Sequence, residues 1–228
     1  MNSVDVYIVV EGTTEQTFVR DVLAPHMAQK SIYLNPVLIG KPGHKGGDVR
    51  FVRARNDIGN FLKQRSDTYI STMFDYFRID SKWPGKEKAH RQLLQGATLT
   101  ASHKAEIIET ATRNEIRKSF PGYDSENRFV PYIEMHEFEA LLFSDADILA
   151  EKTDIDVSLI LRITEGFDNL EEINENPEKA PSKRLGALTS GYRKVAMGKT
   201  VSESIGIQAI RSQCPHFDHW LTKLEELA

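Results

Sequence analysis

The sequence predicts an α/β fold: a mainly parallel central sheet flanked by helices, followed by a C-terminal helical extension. Two observations carry this reading. Short apolar, β-rich runs at Val4–Val10, Val37–Ile39, Tyr69–Phe74 and Phe129–Ile133 alternate with segments of helical periodicity, the pattern of successive βαβ units. After about residue 145 the strand pattern stops, and helical segments with polar loops follow. The chain thus divides into an α/β part, 1–145, and a helical extension, 146–228, that packs on it as one structural unit.

Each element has its own justification. Val4–Val10 is a continuous apolar run, as expected of a strand buried on both faces. A helix starts at Thr13, where Thr13 and Gln16 have the spacing of a capping box, and Phe18, Val19, Val22 and Leu23 form its apolar face. Pro25 and Pro36 bracket the end of that helix and the next segment. Val37–Ile39 is the second strand, and the glycine-rich, basic loop GKPGHKGGD, Gly40 to Asp48, follows it. A helix over Val52–Gln64 turns Ile58, Phe61 and Leu62 inward. The third strand, Tyr69–Phe74, leads into the loop RIDSKWPGKE, and His103–Ser119 is helical with Ile107, Ile108, Ala111 and Ile116 on one side. Pro131 puts the fourth strand near a sheet edge, because proline cannot donate to a ladder. Further helices are expected at Leu159–Ile163, Ser182–Val195 and Phe217–Leu227.

Composition excludes several classes. With 29 basic and 33 acidic residues the net charge is −4, which rules out a generic basic nucleic-acid coat but leaves room for a local basic track. A single cysteine, Cys214, rules out a disulfide framework and suits a reducing compartment. The start, MNSVDVY, lacks the basic and apolar regions of a signal peptide, and no apolar run approaches the roughly 20 residues that span a bilayer. A cytoplasmic protein is expected.

The chemistry concentrates at the strand ends. Parallel strands joined by right-handed crossovers place their C-terminal ends along one edge, where ligands of open α/β sheets bind. Three of the strands end there in acids: Glu11, Asp75, and the segment from Glu134 to Glu139. Gathered carboxylates repel one another unless protons or a cation compensate, and grouped hard oxygen donors suit Mg2+ or Mn2+. Glu15, in the first turn of the first helix, falls near Glu11. Gly12 allows a close turn after the strand. Glu137 and Glu139, read as two apart on a helix, cannot share one face, so at most one is expected to point inward.

The segments EGTTEQTFVRDVLAPH, GKPGHKGGDV, TMFDYF, PYIEMHEFEALLFSD, APSKRL and CPHF together resemble a prokaryotic family of unknown function with a Toprim-like fold, related to OLD-type nucleases. The resemblance covers nearly the whole chain. It implies a Toprim-like sheet and metal-dependent cleavage of nucleic-acid phosphodiesters, with Glu11 and Asp75 as catalytic metal ligands and Glu15 as a second acid. The family's Asp-x-Asp is incomplete here, since Tyr76 and Phe77 follow Asp75, and Asp80 is five residues on. Glu137 and Glu139 are the candidates for the missing oxygen ligands, and Lys183 for a phosphate-steadying catalytic lysine. Lys41, His44, Lys45 and Arg184 are candidate phosphate or nucleic-acid contacts.

The glycine loop is not a P-loop, and Gly198-Lys199-Thr200 fails as one because Arg193 stands where the motif needs glycine. Cys214, His216 and His219 crowd three potential zinc ligands into six residues without a matching cluster elsewhere, which reads as a turn and helix start. The expected function is a Toprim-type nuclease, acting in anti-phage defence with an ATPase partner. The alternatives are a catalytically weak or inactive subunit regulated by a separate ATPase, and a small-molecule phosphatase or phosphotransferase.

Overall fold

The computed structural model describes residues 3–40, 49–173, 177–189 and 191–228. Strand β1 (Val4–Val10) leads into α1 (Thr13–Phe18), a π-helical turn (Val19–Leu23) and α2 (Ala24–Ala28), which run on as one helical stretch. Pro25 does not end it. Proline cannot donate to the carbonyl one turn back, and the wide turn immediately precedes it. Then come β2 (Ile32–Leu38), α3 (Phe51–Gln64), β3 (Thr68–Asp75), α4 (Lys86–Leu94), α5 (Ala101–Ser119) and the single turn α6 (Ser125–Arg128). The expected fourth strand is two short ones, β4 (Phe129–Val130) and β5 (Ile133–Glu134). A 3-10 segment (Phe138–Ser144) precedes α7 (Ala146–Thr153), α8 (Val157–Thr164), α9 (Pro181–Leu188), α10 (Lys194–Ile205), α11 (Ile207–Gln213) and α12 (Pro215–Glu225).

All strand pairs are parallel, in the order β2-β1-β3-β4, with β5 also alongside β3. Among the described residues β2 pairs with β1 alone and lies at the edge, which is why Pro36 fits in it. Pro131 explains the split between β4 and β5, and the hydroxyls of YISTMF repair it. Ser71 Oγ donates to the Val130 carbonyl at 2.6 Å and Thr72 Oγ1 to the Tyr132 carbonyl at 2.9 Å. The Tyr132 N–H donates back to Thr72 Oγ1 at 2.9 Å. Polar side chains in a buried strand thereby take over the ladder that proline interrupts.

Apolar cores cover both faces of the sheet. Val6, Ile8 and Val10 of β1 pack with Phe18 and Leu23, and with Leu149, Ile160, Phe217, Leu221 and Leu224 from the C-terminal region. Residues from 146 onward therefore complete the core begun by the first strand. On the other face, Val9, Ile70 and Phe74 pack with Ile58 and Leu62 of α3, Ile108 and Ile116 of α5, and Trp83. The predicted Ser182–Val195 helix is instead broken between α9 and α10, so that Lys194 opens a new helix. No helix of the described residues is long and apolar enough to cross a membrane.

Candidate metal centre

The order β2-β1-β3 makes the gap between β1 and β3 the point where the chain reverses its direction of winding. Ligands of open α/β sheets bind at such a point. Val10 pairs with Met73, so Glu11 emerges beside the end of β3, and its Oε2 accepts the Asp75 N–H at 3.1 Å. Glu15, in the first turn of α1, folds back over Gly12. That glycine has an ordinary extended conformation (φ −145°), so its backbone does not require glycine. Space does: a β-carbon there would lie 3.0 Å from Glu15 Oε2. The expected capping box is not formed; Gly12 is the N-cap, without a side-chain cap bond.

One carboxylate oxygen each from Glu11, Glu15 and Asp75 lies within 4.8 Å of the others. Oxygens sharing one magnesium ion at about 2.1 Å are at most about 4.2 Å apart, so a slight contraction brings the trio onto one ion. All are withdrawn from solvent: the Glu11 side chain is 11% exposed, and Glu15 and Asp75 are buried.

Glu137 and Glu139 are buried and close enough to raise the proton affinity of Asp75, but they stand outside the trio that meets within 4.8 Å. The reading that at most one points inward assumed a continuous helix. Glu137 is instead extended, just before the 3-10 turn that carries Glu139, so helical phase does not separate them. Glu137 Oε2 accepts the Ser182 N–H at 3.2 Å, and Asp75 Oδ1 accepts the Phe138 N–H at 3.0 Å. Glu134 is fully buried, and its Oε2 accepts from the Tyr132 hydroxyl at 2.7 Å. Asp80 is committed elsewhere: its carboxylate accepts the N–H groups of Phe51 at 2.9 Å and Lys82 at 2.7 Å.

The acids are under-compensated. Burial, then the charge of Glu15, raises the Glu11 pKa to about 8. Burial raises Glu15, and Glu139 adds to it. Asp75 is pushed well above the carboxylate range by burial, then by Glu11, Glu15, Glu139 and Glu137. Among the described residues, two cations face this charge. Arg78 Nε lies 3.7 Å from Glu11 Oε1, with its side chain half exposed. Lys194 Nζ lies 2.9 Å from Glu139 Oε1, and the Tyr192 hydroxyl reaches the same oxygen at 3.3 Å. Burial lowers the Lys194 pKa, but Glu139, then Glu137 and Asp75, outweigh it and hold the ammonium above its ordinary value.

Sequence reasoning missed both Arg78 and Lys194, and Lys194 could have been found. A signal was present: Ser190-Gly191 is a chain-breaking pair, which argues against one helix through Val195. Lys183 sits in the first turn of α9, beside the Ser182 that Glu137 holds, and pairs with Glu178 at 3.4 Å. Arg184 Nε donates to the Lys179 carbonyl at 2.9 Å. Lys41, His44 and Lys45 lie outside the described residues; the preceding Ile39 donates to the Val10 carbonyl at 2.9 Å, at the Glu11 edge of the sheet. Gly198-Lys199-Thr200 lies inside α10, where a β-carbon on Gly198 would be 2.9 Å from Phe138 Cε1. That close approach seats Lys194's helix against the segment bearing Glu137 and Glu139.

Fold and site together define a parallel α/β protein with a buried, carboxylate-rich centre at its winding reversal. The chain matches the family described as domain of unknown function DUF4276 over residues 10–225, and it belongs to that family. No curated protein and no solved structure matches it significantly.

Proposed function

We propose that this protein is a metal-dependent phosphodiesterase of Toprim type that cleaves nucleic acid. The observation that supports this reading best is the meeting of Glu11, Glu15 and Asp75 within the span of one ion, with raised proton affinities that signal missing positive charge. The all-oxygen donor set favours a hard divalent cation, Mg2+ or Mn2+, over zinc. Such an ion, when bound, acidifies a coordinated water and neutralises charge on a phosphodiester.

The chain's own groups have separable parts. Glu11, Glu15 and Asp75 hold the cation. Glu137 supplies a further oxygen, in place of the second aspartate that the Asp-x-Asp pattern lacks. Lys194, anchored by Glu139 and 45% exposed, presents an ammonium to a phosphate oxygen, and half-exposed Arg78 does the same beside Glu11. In this reading a strand enters from the side on which these two cations are exposed.

Incubation of purified protein with plasmid DNA, single-stranded DNA and RNA in Mn2+ tests the assignment. Cleavage by the wild type and none by Glu11→Gln is the expected outcome. Equal cutting by both proteins, or cutting by neither, defeats it. An ATPase acting in trans in anti-phage defence is part of the same proposal. Copurification of an ATPase from the native host would support that part.

A further inference from the structure

The sequence's other unabsorbed cluster, Cys214, His216 and His219, does not gather around a metal. Cys214 is buried at the N-cap of α12, and His216 Nε2 sits 2.9 Å from Glu109 Oε1. Instead, His216 and His219 line a cavity of about 350 Å3 between α5 and α12. Arg113 and Lys223 line it too. Among the described residues neither of these cations has an ion-pair partner, and the Arg113 Nε is buried without a hydrogen bond. The Nε is sealed from the cavity, so a ligand there would meet Arg113 through the terminal nitrogens of its guanidinium, a charge the described residues leave without an ion-pair partner.

Arg113 and Lys223 face two acids on the wall, Glu106 and Glu109, and Glu109 is already engaged. Glu109 accepts the Ile133 N–H at 2.9 Å and lies 2.9 Å from His216 Nε2; burial disfavours the charged His216 ring, but Glu109, then Glu171, outweigh that and raise its pKa. Glu106 is the one other acid on the wall, against Arg113 and Lys223. Ser102 and Thr110 add hydroxyl donors. The two helix N-termini nearby play no part, because they are already occupied. Glu172 accepts the Ala101 N–H at 2.6 Å, and Glu171 accepts those of His216 and Phe217, both at 2.8 Å. The cavity's volume lies within the ~300–1,000 Å3 common for small-ligand sites.

We propose that this cavity binds a phosphate-bearing ligand through Arg113 and Lys223, at a site separate from the carboxylate centre. The phosphate could come from a free nucleotide or from a nucleic-acid backbone, and the experiment separates the two. Calorimetric titration in EDTA uses inorganic phosphate, a nucleoside triphosphate and a short oligonucleotide as probes. At least one is expected to bind saturably at millimolar concentration or below. Arg113→Gln and Lys223→Gln each weaken it by at least about ten-fold, as loss of a charge-assisted hydrogen bond requires. Glu106→Gln, a change at an exposed position, tightens it several-fold because an opposing charge is gone. Tighter binding of the triphosphate points to a free nucleotide, and tighter binding of the oligonucleotide to a backbone contact.

Glu11→Gln binds as wild type does, which keeps this test independent of the nuclease reading. The proposal falls if no probe saturates, if both cation variants bind as wild type, if Glu106→Gln fails to tighten binding, or if Glu11→Gln abolishes it. Circular dichroism of each variant confirms the fold. Should Arg113→Gln misfold, Lys223→Gln and Glu106→Gln decide the matter.

Discussion

Two regions of this molecule bury acids, and they do so in opposite ways. Beneath α12, Glu171 is fully buried and accepts two backbone N–H groups, while Glu109 accepts the Ile133 N–H at 2.9 Å and holds His216. Each carboxylate there holds helix or strand ends in place. At the end of β1 and β3, Glu11 and Asp75 accept one backbone N–H each, but three carboxylates are gathered there within 4.8 Å and Arg78, at 3.7 Å from Glu11, is half exposed. Burial of an acid is therefore no sign of function by itself. What separates the regions is whether the protein supplies the compensating donors, since an unpaired buried charge is costly to keep.

Substitution tests that contrast most sharply. Asp75→Asn keeps an oxygen for the Phe138 N–H but removes a charge from the centre. Metal-dependent cleavage should fall by at least about 100-fold, as for loss of one electrostatic group in a catalytic site. Its metal-free thermal midpoint should hold where Asp75 is protonated and rise at alkaline pH, where the wild-type carboxylate would repel Glu11 and Glu15. Glu171→Ala should reverse the pattern. Two buried N–H groups lose their acceptor, and stability falls by about 1–3 kcal/mol with turnover per folded molecule retained. A stability loss in Asp75→Asn matching that of Glu171→Ala would erase the distinction.

Proton linkage gives the next largest effect. The folded pKa of Glu11, about 8, lies above its ordinary 4.5. The folded chain therefore holds this proton where the unfolded chain releases it. The stability contributed is fully present below about 4.5 and is lost as pH rises through about 8. Glu15 and Asp75 are raised too and act in the same direction. Denaturation in EDTA across this range should show stability declining as pH rises. Millimolar Mn2+ should remove the decline, because the ion binds the folded, deprotonated site. A paired acid behaves oppositely: burial raises Glu225, but Arg211 and Lys30 outweigh it and lower its pKa, so its contribution is lost on acidification. A metal-free profile flat between these pH values would remove the electrostatic case for the centre.

Much of this was legible in the sequence, for identifiable reasons. The ends of β1 and β3 stood out because apolar runs stop at an acid, and parallel topology brings such ends together. Glu15 followed from its place in the first helical turn. Glu137 and Glu139 were named, but the burial of both was not foreseeable, because it depends on an extended residue meeting a 3-10 turn. Helix α4 escaped notice because Ala89 is its only buried residue, leaving little apolar periodicity to read. Lys194 was hidden for a different reason: its role depends on Gly198 letting α10 approach Phe138, a contact between distant segments.

That contact offers the finest test, through two glycine-to-alanine changes that differ in what they crowd. In Gly198→Ala the new methyl lies 2.9 Å from Phe138 Cε1 in a packed core, so α10 must shift. A cost of about 1–3 kcal/mol is expected, together with a weaker hold on substrate as Lys194 moves from Glu139. In Gly12→Ala the backbone is already extended and tolerates any residue; the methyl meets only Glu15 Oε2, at 3.0 Å. Stability should barely change, while Mn2+ affinity drops a few-fold as Glu15 turns away from Glu11 and Asp75. Calorimetric Mn2+ titration beside thermal melts distinguishes the two. If Gly12→Ala left Mn2+ affinity intact, Glu15 would belong with the structural acids rather than with the centre.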